Sequence, residues 1–186
     1  MKVGLFVEGP TDKEVIPILV KKVDQKIKII VRVVPQGDLL NPQKIRSYIE
    51  KDLLLEHHDL TKVIICRDSE CTNPKHIERE FRRGEEELQG LKIPVQLCVV
   101  VHALEGWLMA DAESLSNFLG GPRLLKIPKN SESLCKPKEA LRELFRKANR
   151  DYIAQRDCPR IAEMADIKRM AKNNKSFAHF CELLIG

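Results

Sequence analysis

Several features that would restrict the class of this 186-residue chain are missing or scarce. No apolar run reaches the roughly 18 residues needed to span a bilayer, and the first residues enter a strand pattern rather than a signal-peptide core. Internal repeats and low-complexity segments are also absent. Aromatic residues make up only 5% of the chain, which argues against base-stacking platforms for single-stranded nucleic acid. We therefore expect one main domain in a cytoplasmic protein that does not bind membranes.

The cysteines are not arranged as metal ligands. They stand at positions 66, 71, 98, 135, 158 and 181, with no Cys-x-x-Cys pair and no nearby histidine to support a zinc site. Cys66 and Cys98 fall inside apolar runs, where a free thiol usually behaves as a small hydrophobe. We expect reduced, structural cysteines.

Charge is distributed unevenly along the chain. Hydrophobic residues at 43% and charged residues at 32% are typical of a folded globular protein. Residues 1–119 carry 17 Lys and Arg against 19 Asp and Glu, a net charge of −2, whereas residues 120–186 carry 15 against 8, a net charge of +7. The basic region could meet a polyanion, although solvated helix faces are often basic too.

Strand and helix patterns alternate through the first part of the chain. The strand patterns span Lys2–Val7, Ile27–Val34, Lys62–Cys66 and Val95–Val101. Helical patterns follow at Thr11, which has capping-box spacing with Glu14, and after the Asn-Pro pairs at 41–42 and 73–74, the last running to about Leu88. This alternation predicts an α/β fold with a roughly four-stranded, mainly parallel sheet flanked by helices on both faces.

A change of character after the fourth strand suggests a C-terminal helical cap. A helical stretch starts near His102 and ends at Gly120-Gly121-Pro122. After a turn-rich link at 131–138, further helical patterns cover Lys138–Arg150, Pro159–Met170 and Ser176–Leu184. We divide the chain into an α/β domain, residues 1–119, and a basic helical extension, residues 120–186, packed on it.

Acidic residues follow two of the predicted strands. Glu8 ends the first strand, and Asp68 and Glu70 end the third. Because open α/β sheets bind ligands outside the carboxyl ends of their strands, these side chains are expected to share one pocket. Carboxylate oxygens suit Mg²⁺ or Mn²⁺, so Asp68 and Glu70 are candidate ligands. Glu8 could complete the metal shell or act as an acid/base.

Each of these acids also has a purely structural interpretation. Glu8 could accept hydrogen bonds from the first helix, Asp12 could favour the helix dipole, and Asp68 could cap a turn. The joint placement of Glu8, Asp68 and Glu70 favours the functional interpretation.

Further candidates follow the fourth strand. Glu105 and Asp111 could supply oxygen ligands for a metal, or Glu105 could stay hydrated while Trp107 packs the cap. His102 could orient a phosphate or water, but a lone histidine here is more often a hydrogen-bonded core residue. Arg67 would point away from the acidic edge if its strand stays regular, and could contact phosphate if the chain twists there.

Two basic clusters in the extension could neutralise a nucleic-acid backbone. The candidate nucleic-acid-binding residues are Arg142, Arg146, Lys147, Arg150, Lys168 and Arg169. Phosphate contacts of this kind give affinity without sequence recognition. Ordinary solvated helix faces are an equally good interpretation.

The acidic pattern resembles the TOPRIM domain of topoisomerases, primases and OLD-type nucleases. The resemblance lies in strand-Glu8-Gly-x-x-Asp12 followed by strand-Asp68-x-Glu70. It implies a TOPRIM/Rossmann-like fold, proton transfer by Glu8, Mg²⁺ binding by Asp68 and Glu70, and a catalytic part for Asp12. The usual second acid of the pair is aspartate, and the extra methylene of Glu70 shifts the metal geometry.

Nearly the whole chain is similar to an uncharacterised prokaryotic TOPRIM-like family. The shared segments are Val7-Glu-Gly-Pro-Thr11, His102-Ala-Leu-Glu-Gly-Trp-Leu-Met-Ala-Asp111 and Ser176-Phe-Ala-His-Phe180. The resemblance implies a small nuclease or defence-associated protein acting beside an ATPase.

We therefore expect a Mg²⁺-dependent phosphoryl-transfer enzyme, most simply a nuclease acting on nucleic acid. The alternative is a non-catalytic module that binds metal or nucleotide and serves a partner ATPase. A DNA-topology enzyme is disfavoured because Tyr48 and Tyr152, the two tyrosines, fall in helical patterns.

Overall fold

The computed structural model describes residues 1–121 and 130–186. One sequence prediction, the helix stop at Gly120-Gly121-Pro122, lies partly outside these ranges because Pro122 is not described. Gly120 and Gly121 do follow the end of a helix, with φ values of 106° and 128°. Such values favour glycine, since a side chain would clash with the backbone there.

A four-stranded sheet forms the centre of the molecule. Its strands are β1 (Lys2–Val7), β2 (Lys28–Val33), β3 (Lys62–Asp68) and β4 (Val95–Val100). All pairings are parallel and the spatial order is β2-β1-β3-β4. The predicted α/β class is thus confirmed. The order of the strands reverses between β1 and β3, which is where doubly wound sheets bind ligands.

Helices cover both faces of the sheet. The helices of the first part are α1 (Pro10–Val23), α2 (Pro42–Tyr48), α3 (Leu54–Glu56), α4 (Pro74–Arg83) and α5 (Glu85–Leu88), with a π-helical turn at Ile49–Leu53 and a 3₁₀ turn at Gln36–Asp38. After β4 come α6 (Leu104–Met109), α7 (Ala112–Phe118), a 3₁₀ turn at Ser131–Ser133, α8 (Pro137–Lys147), α9 (Ala154–Met164), α10 (Ile167–Asn173) and α11 (Lys175–Ile185). No helix among the described residues is long and apolar enough to cross a membrane.

Alternating strand side chains build two apolar cores. Val3 and Leu5 of β1 pack with α1 and with helices α6 to α11 on one face, while Phe6 packs with α2 and α4 on the other. Trp107, fully buried in the first core, lies 5.2 Å from Phe177 and donates from Nε1 to Ser176 Oγ at 2.8 Å. The first core therefore contains residues from both 1–119 and 130–186, including Leu141, Leu144 and Phe145 of α8.

Three helix boundaries differ from their predictions. The first helix begins after Gly9, not Thr11, and the residue that returns to cap it is Asp12, not Glu14. The helix expected to reach Leu88 breaks at Gly84, where a Cβ would overlap the Pro42 ring. The single pattern at Pro159–Met170 is two helices, because Asp166 caps α10 by accepting from the Arg169 N–H at 3.0 Å.

Candidate functional site

A cavity of about 370 Å³ opens at the carboxyl ends of β1 and β3. Four carboxylates from different parts of the chain line it: Glu8, Asp12, Asp68 and Glu105. Lys138, Arg142 and Tyr152 of the C-terminal region line it as well. The prediction that acids after separate strands share one pocket therefore describes the geometry for Glu8 and Asp68.

Glu8 is held in place by its neighbours on β3. Its Oε1 accepts from the backbone N–H of Asp68 at 2.8 Å and from Nη1 of Arg67 in an ion pair. Arg67 also donates to the Asp68 carbonyl at 2.7 Å. The Arg67 side chain thus lies at the acidic edge, which corrects the expectation that it points away. The pairing orients Glu8 and leaves Oε2 without a protein hydrogen bond among the described residues.

Asp68 is half-buried at the end of β3. Burial raises its pKa well above the usual value, and the nearby carboxylates of Asp12 and Glu8 raise it further. A carboxylate in such surroundings is stabilised either by a proton or by a cation. Asp68 is therefore a group whose ionisation depends on what else occupies the cavity.

Asp12 combines a capping role with a position in the cavity. Its Oδ2 accepts from the Gly9 N–H at 2.9 Å at the start of α1. Burial raises its pKa to about 6, and the negative charge of Glu105 adds to this effect against the hydrogen bond from Gly9. The structural interpretation of Asp12 is thus correct in part, but the side chain also faces the other acids.

Glu105 is the most buried of the four carboxylates. Glu105 lies in the first turn of α6, and only 1% of its surface is exposed. It is therefore not the hydrated residue that one interpretation allowed. Its Oε1 accepts from the Tyr152 hydroxyl at 3.2 Å, while Oε2 is buried and has no hydrogen-bond partner among residues 1–121 and 130–186. An unpartnered buried carboxylate oxygen is costly. It marks a position where a bound cation or donor would be stabilised.

Two cations on α8 face these acids. Lys138 and Arg142 are separated by one helical turn, and both line the cavity. Burial alone would lower the pKa of Lys138, but the surrounding carboxylates, Glu105 foremost, raise it above its usual value. The lysine is therefore charged at neutral pH.

Glu70 lies outside the cavity that receives Asp68. Its backbone has a φ of 50°, and its N–H donates to the His102 carbonyl at 2.8 Å. This left-handed residue turns the chain away from the sheet edge, and the Glu70 side chain is exposed. The structure does not bring the predicted Asp68 and Glu70 pair together on one metal-sized space.

His102 links two loops near the cavity. One ring nitrogen contacts the Glu70 carbonyl, and Nε2 lies 2.9 Å from the Glu132 carbonyl. Its backbone N–H donates to Ser69 Oγ at 2.7 Å. These contacts correspond to the hydrogen-bonded interpretation of His102 rather than to the phosphate- or water-orienting one.

The same two loops are joined by a disulfide between Cys71 and Cys135, with Cα atoms 5.4 Å apart. This corrects the expectation that all the cysteines are reduced. The pairing follows from tertiary contact across 64 residues of sequence, which no local motif reveals. Cys66, Cys98 and Cys158 are free and buried, as expected of structural thiols.

Asp111 does not reach the cavity either. It caps α7 by accepting from the Ser114 N–H at 3.3 Å, and it forms an ion pair with Arg169 at 2.8 Å. Its own burial would raise its pKa, but the hydrogen bonds from Ser114, the Asp166 N–H and Arg169 lower it. This carboxylate is already satisfied and has no need of a metal.

The other candidate nucleic-acid-binding residues differ in their availability. Arg169 is committed to Asp111, and Arg150 donates to the Phe118 carbonyl at 2.6 Å and stacks over its ring. Arg146 and Lys147 are exposed but pair with Glu143. Lys168 is exposed. Of the six residues, Arg142 lines the cavity.

The chemistry of the cavity residues fits a divalent cation, but a ready set of ligands is not formed. Among residues 1–121 and 130–186, no three His, Cys, Asp or Glu side chains stand in a metal-holding arrangement. Against this, the Glu105 oxygen lacks a partner and the pKa values of Asp68 and Asp12 are raised. These acids gain from a cation, which would complete its shell with water or ligand oxygens.

Sequence reasoning missed Lys138, Tyr152 and the pairing of Arg67 with Glu8. The spacing of Lys138 and Arg142 after Pro137 was a usable signal, since residues four apart share a helix face. No sequence signal indicated Tyr152, because its position at the cavity depends on how the segment before α9 packs.

The fold and the site together define a class: an all-parallel α/β protein with a carboxylate cluster at the switch point of its sheet. The chain belongs to the family described as Domain of unknown function (DUF4276), which matches residues 7–185. Neither a curated protein nor a solved structure matches the chain significantly.

Proposed function

We propose that the protein is a Mg²⁺-dependent phosphoryl-transfer enzyme, most specifically a nuclease. The observation that carries the proposal is the convergence of four carboxylates on one cavity, one of them the buried Glu105 with an unpartnered oxygen. Clustered acids with raised pKa values, placed at a ligand-binding edge, are typical of functional sites.

Asp68, Glu105 and Asp12 are the residues that would hold the metal. When bound, Mg²⁺ would polarise a phosphoryl oxygen and neutralise developing negative charge. Glu8, oriented by Arg67 and the Asp68 N–H, would exchange a proton at its free Oε2. Tyr152 would fix the orientation of Glu105 through the hydrogen bond to Oε1.

A relationship to TOPRIM domains is part of the proposal. Its support is the strand order β2-β1-β3-β4 with Glu8 after β1 and Asp68 at the end of β3. The position of Glu70 outside the cavity weakens it. We propose instead that Glu105 supplies the second carboxylate expected from Glu70.

A nucleic-acid substrate is proposed from the exposed basic side chains of the C-terminal region, Arg142 and Lys168 among them. Backbone contacts of this kind would make binding weaken as salt concentration rises.

The second candidate is a non-catalytic binding module that serves a partner ATPase. It is favoured by the ion pair between Glu8 and Arg67, which occupies one oxygen of the proposed acid/base. A structural pairing of this kind would suit a site that binds metal or nucleotide without turnover.

A cleavage assay separates the two candidates. Purified protein is incubated with Mg²⁺ or Mn²⁺ and a panel of single- and double-stranded DNA and RNA, with and without a candidate ATPase. The enzyme predicts metal-dependent products that are lost in Glu8→Gln and Asp68→Asn, and retained in Glu14→Gln, an exposed acid of α1. Metal binding without cleavage of any substrate would favour the binding module.

A further inference from the structure

The cavity has an acidic side and a basic side, and the basic side comes from one helix. Glu8, Asp12, Asp68 and Glu105 line it from the sheet edge, α1 and α6. We propose that Lys138 and Arg142 of α8 form a subsite for the terminal phosphate of a nucleotide-sized phosphate ester. The inference rests on the proposed function, because it assigns a substrate class to the same cavity.

Lys138 and Arg142 are uncommitted within the described part of the chain. On the same helix, Lys136 pairs with Glu139, and Arg146 pairs with Glu143. Within the described part of the chain, neither Lys138 nor Arg142 forms an ion pair within 4.0 Å. Two charges one helical turn apart are thus free for an anion, and arginine can bind two phosphate oxygens at once.

The charges around the cavity also favour an anion beside α8. The cavity carboxylates raise the pKa of Lys138, so the ammonium is kept charged. Among the described residues the cavity acids and these cations do not pair directly, and the buried Glu105 Oε2 has no partner. A ligand that presents phosphate oxygens to α8 and a divalent cation to the acids would satisfy both sides.

The size of the cavity limits the ligand that it can hold. A cavity of about 370 Å³ falls at the small end of the range for small-molecule sites. Tyr152 and Ala154 line it on the C-terminal side, and Pro10 and Thr11 on the side of α1. A cavity of this volume is of the size that holds one small ligand, and we infer that it holds one nucleotide unit. The ligand is therefore a free nucleotide or the end of a nucleic-acid chain.

The test is a calorimetric titration of the protein with adenosine 5′-monophosphate in the presence of Mn²⁺. The variant Lys138→Gln/Arg142→Gln removes both proposed contacts. The control, Lys13→Gln/Lys21→Gln, removes the same charge from exposed positions of α1 that do not line the cavity.

We expect the first variant to weaken nucleotide binding by about tenfold or more, as loss of charged hydrogen bonds would. The control should change it by less than about twofold. No binding to the wild-type protein at millimolar nucleotide, or equal weakening in both variants, would overturn the inference. Circular dichroism and melting of each variant exclude unfolding as the cause.

Competition distinguishes the two sources of the phosphate. A linear oligonucleotide with a 5′-phosphate should displace the nucleotide if the site takes chain ends, and its failure assigns the site to free nucleotides. A circular oligonucleotide of the same sequence has no end and should not compete in either case. Competition by the circle equal to that of the linear form would refute the size argument.

The subsite and the proposed enzyme can fail separately. Cleavage that requires Glu8 and Asp68 but proceeds unchanged in Lys138→Gln/Arg142→Gln would leave the enzyme and remove the subsite. Nucleotide binding that requires Lys138 and Arg142, with no cleavage of any substrate, would leave the subsite and remove the nuclease.

Discussion

Replacing Asp12 by asparagine should stabilise the protein at neutral pH, although it removes a negative charge that caps α1. The carboxyl pKa is about 6 in the folded protein, against a usual value of 3.8, chiefly because the group is buried. The folded state therefore binds a proton more tightly than the unfolded chain does. This contribution to stability is complete below pH 3.8 and is lost as the pH rises through 6.

The size of the effect follows from these two values. Multiplying the difference between about 6 and 3.8 by about 1.4 kcal/mol per pH unit gives about 3 kcal/mol. Because Asp12 is only partly buried, solvent screening reduces this to about 2 kcal/mol. Asparagine keeps an oxygen that can accept from the Gly9 N–H, so the cap is retained.

Urea unfolding at pH 3.5 and pH 7.5 measures the prediction. Asp12→Asn should raise the free energy of unfolding at pH 7.5 by about 2 kcal/mol and change it little at pH 3.5. Glu14→Gln, at an exposed position of the same helix, should have no comparable pH-dependent effect. Adding Mg²⁺ at pH 7.5 should narrow the gap, since a bound cation would stabilise the wild-type carboxylates.

The reasoning would be refuted if Asp12→Asn were less stable than wild type at pH 7.5. An equal offset at both pH values would also refute it, since the cause would then be packing or capping rather than the charge of the buried acid.

Three further predictions concern interactions around the cavity and in the cap. Arg67→Gln should lower the free energy of unfolding by about 2 kcal/mol, since it leaves a partly buried carboxylate unpaired, and Glu8→Gln added to it should recover part of the loss in a double-mutant cycle. Reduction of the Cys71–Cys135 disulfide, which closes a loop across 64 residues, should cost about 4 kcal/mol by loop entropy; a Cys71→Ser/Cys135→Ser variant should show no response to dithiothreitol in the same unfolding assay. Arg169→Gln should lower the free energy of unfolding by about 2 kcal/mol, because it leaves Asp111, the fully buried acid that caps α7, without its ion-pair partner. An unchanged melting temperature would contradict this.

The sheet could be predicted from local sequence because its strands are continuous apolar runs. Val63–Cys66 is buried along its whole length and Cys98–Val100 forms the buried part of β4, so their apolar and β-branched residues indicate strands. Helix starts at Asn41 and Asn73 were also predictable, because each side chain accepts from a backbone N–H of its own helix. The start of α1 was not, since Gly9 caps it without a side chain.

The candidate site could be predicted only on its acidic side. Glu8 and Asp68 follow or end adjacent parallel strands, and the α/β alternation predicts that the carboxyl ends of such strands lie at one edge of the sheet. Glu70 lies outside the cavity because a single left-handed residue redirects the chain. A glutamate in the sequence does not indicate a φ of 50°. Lys138 and Tyr152 reach the cavity through packing of the C-terminal helices, a long-range property that sequence patterns do not encode.

The two sides of the cavity lie far apart in the sequence, and this fixes the order in which they arise during synthesis. The last acid, Glu105, precedes the first cation, Lys138, by more than thirty residues. Since a growing chain emerges from its N-terminus, the carboxylates leave the ribosome before α8 exists. A nascent chain therefore carries an acidic sheet edge without its basic wall. An activity that needs both the carboxylates and the cations cannot begin until α8, which carries Lys138 and Arg142, has packed against the rest of the protein.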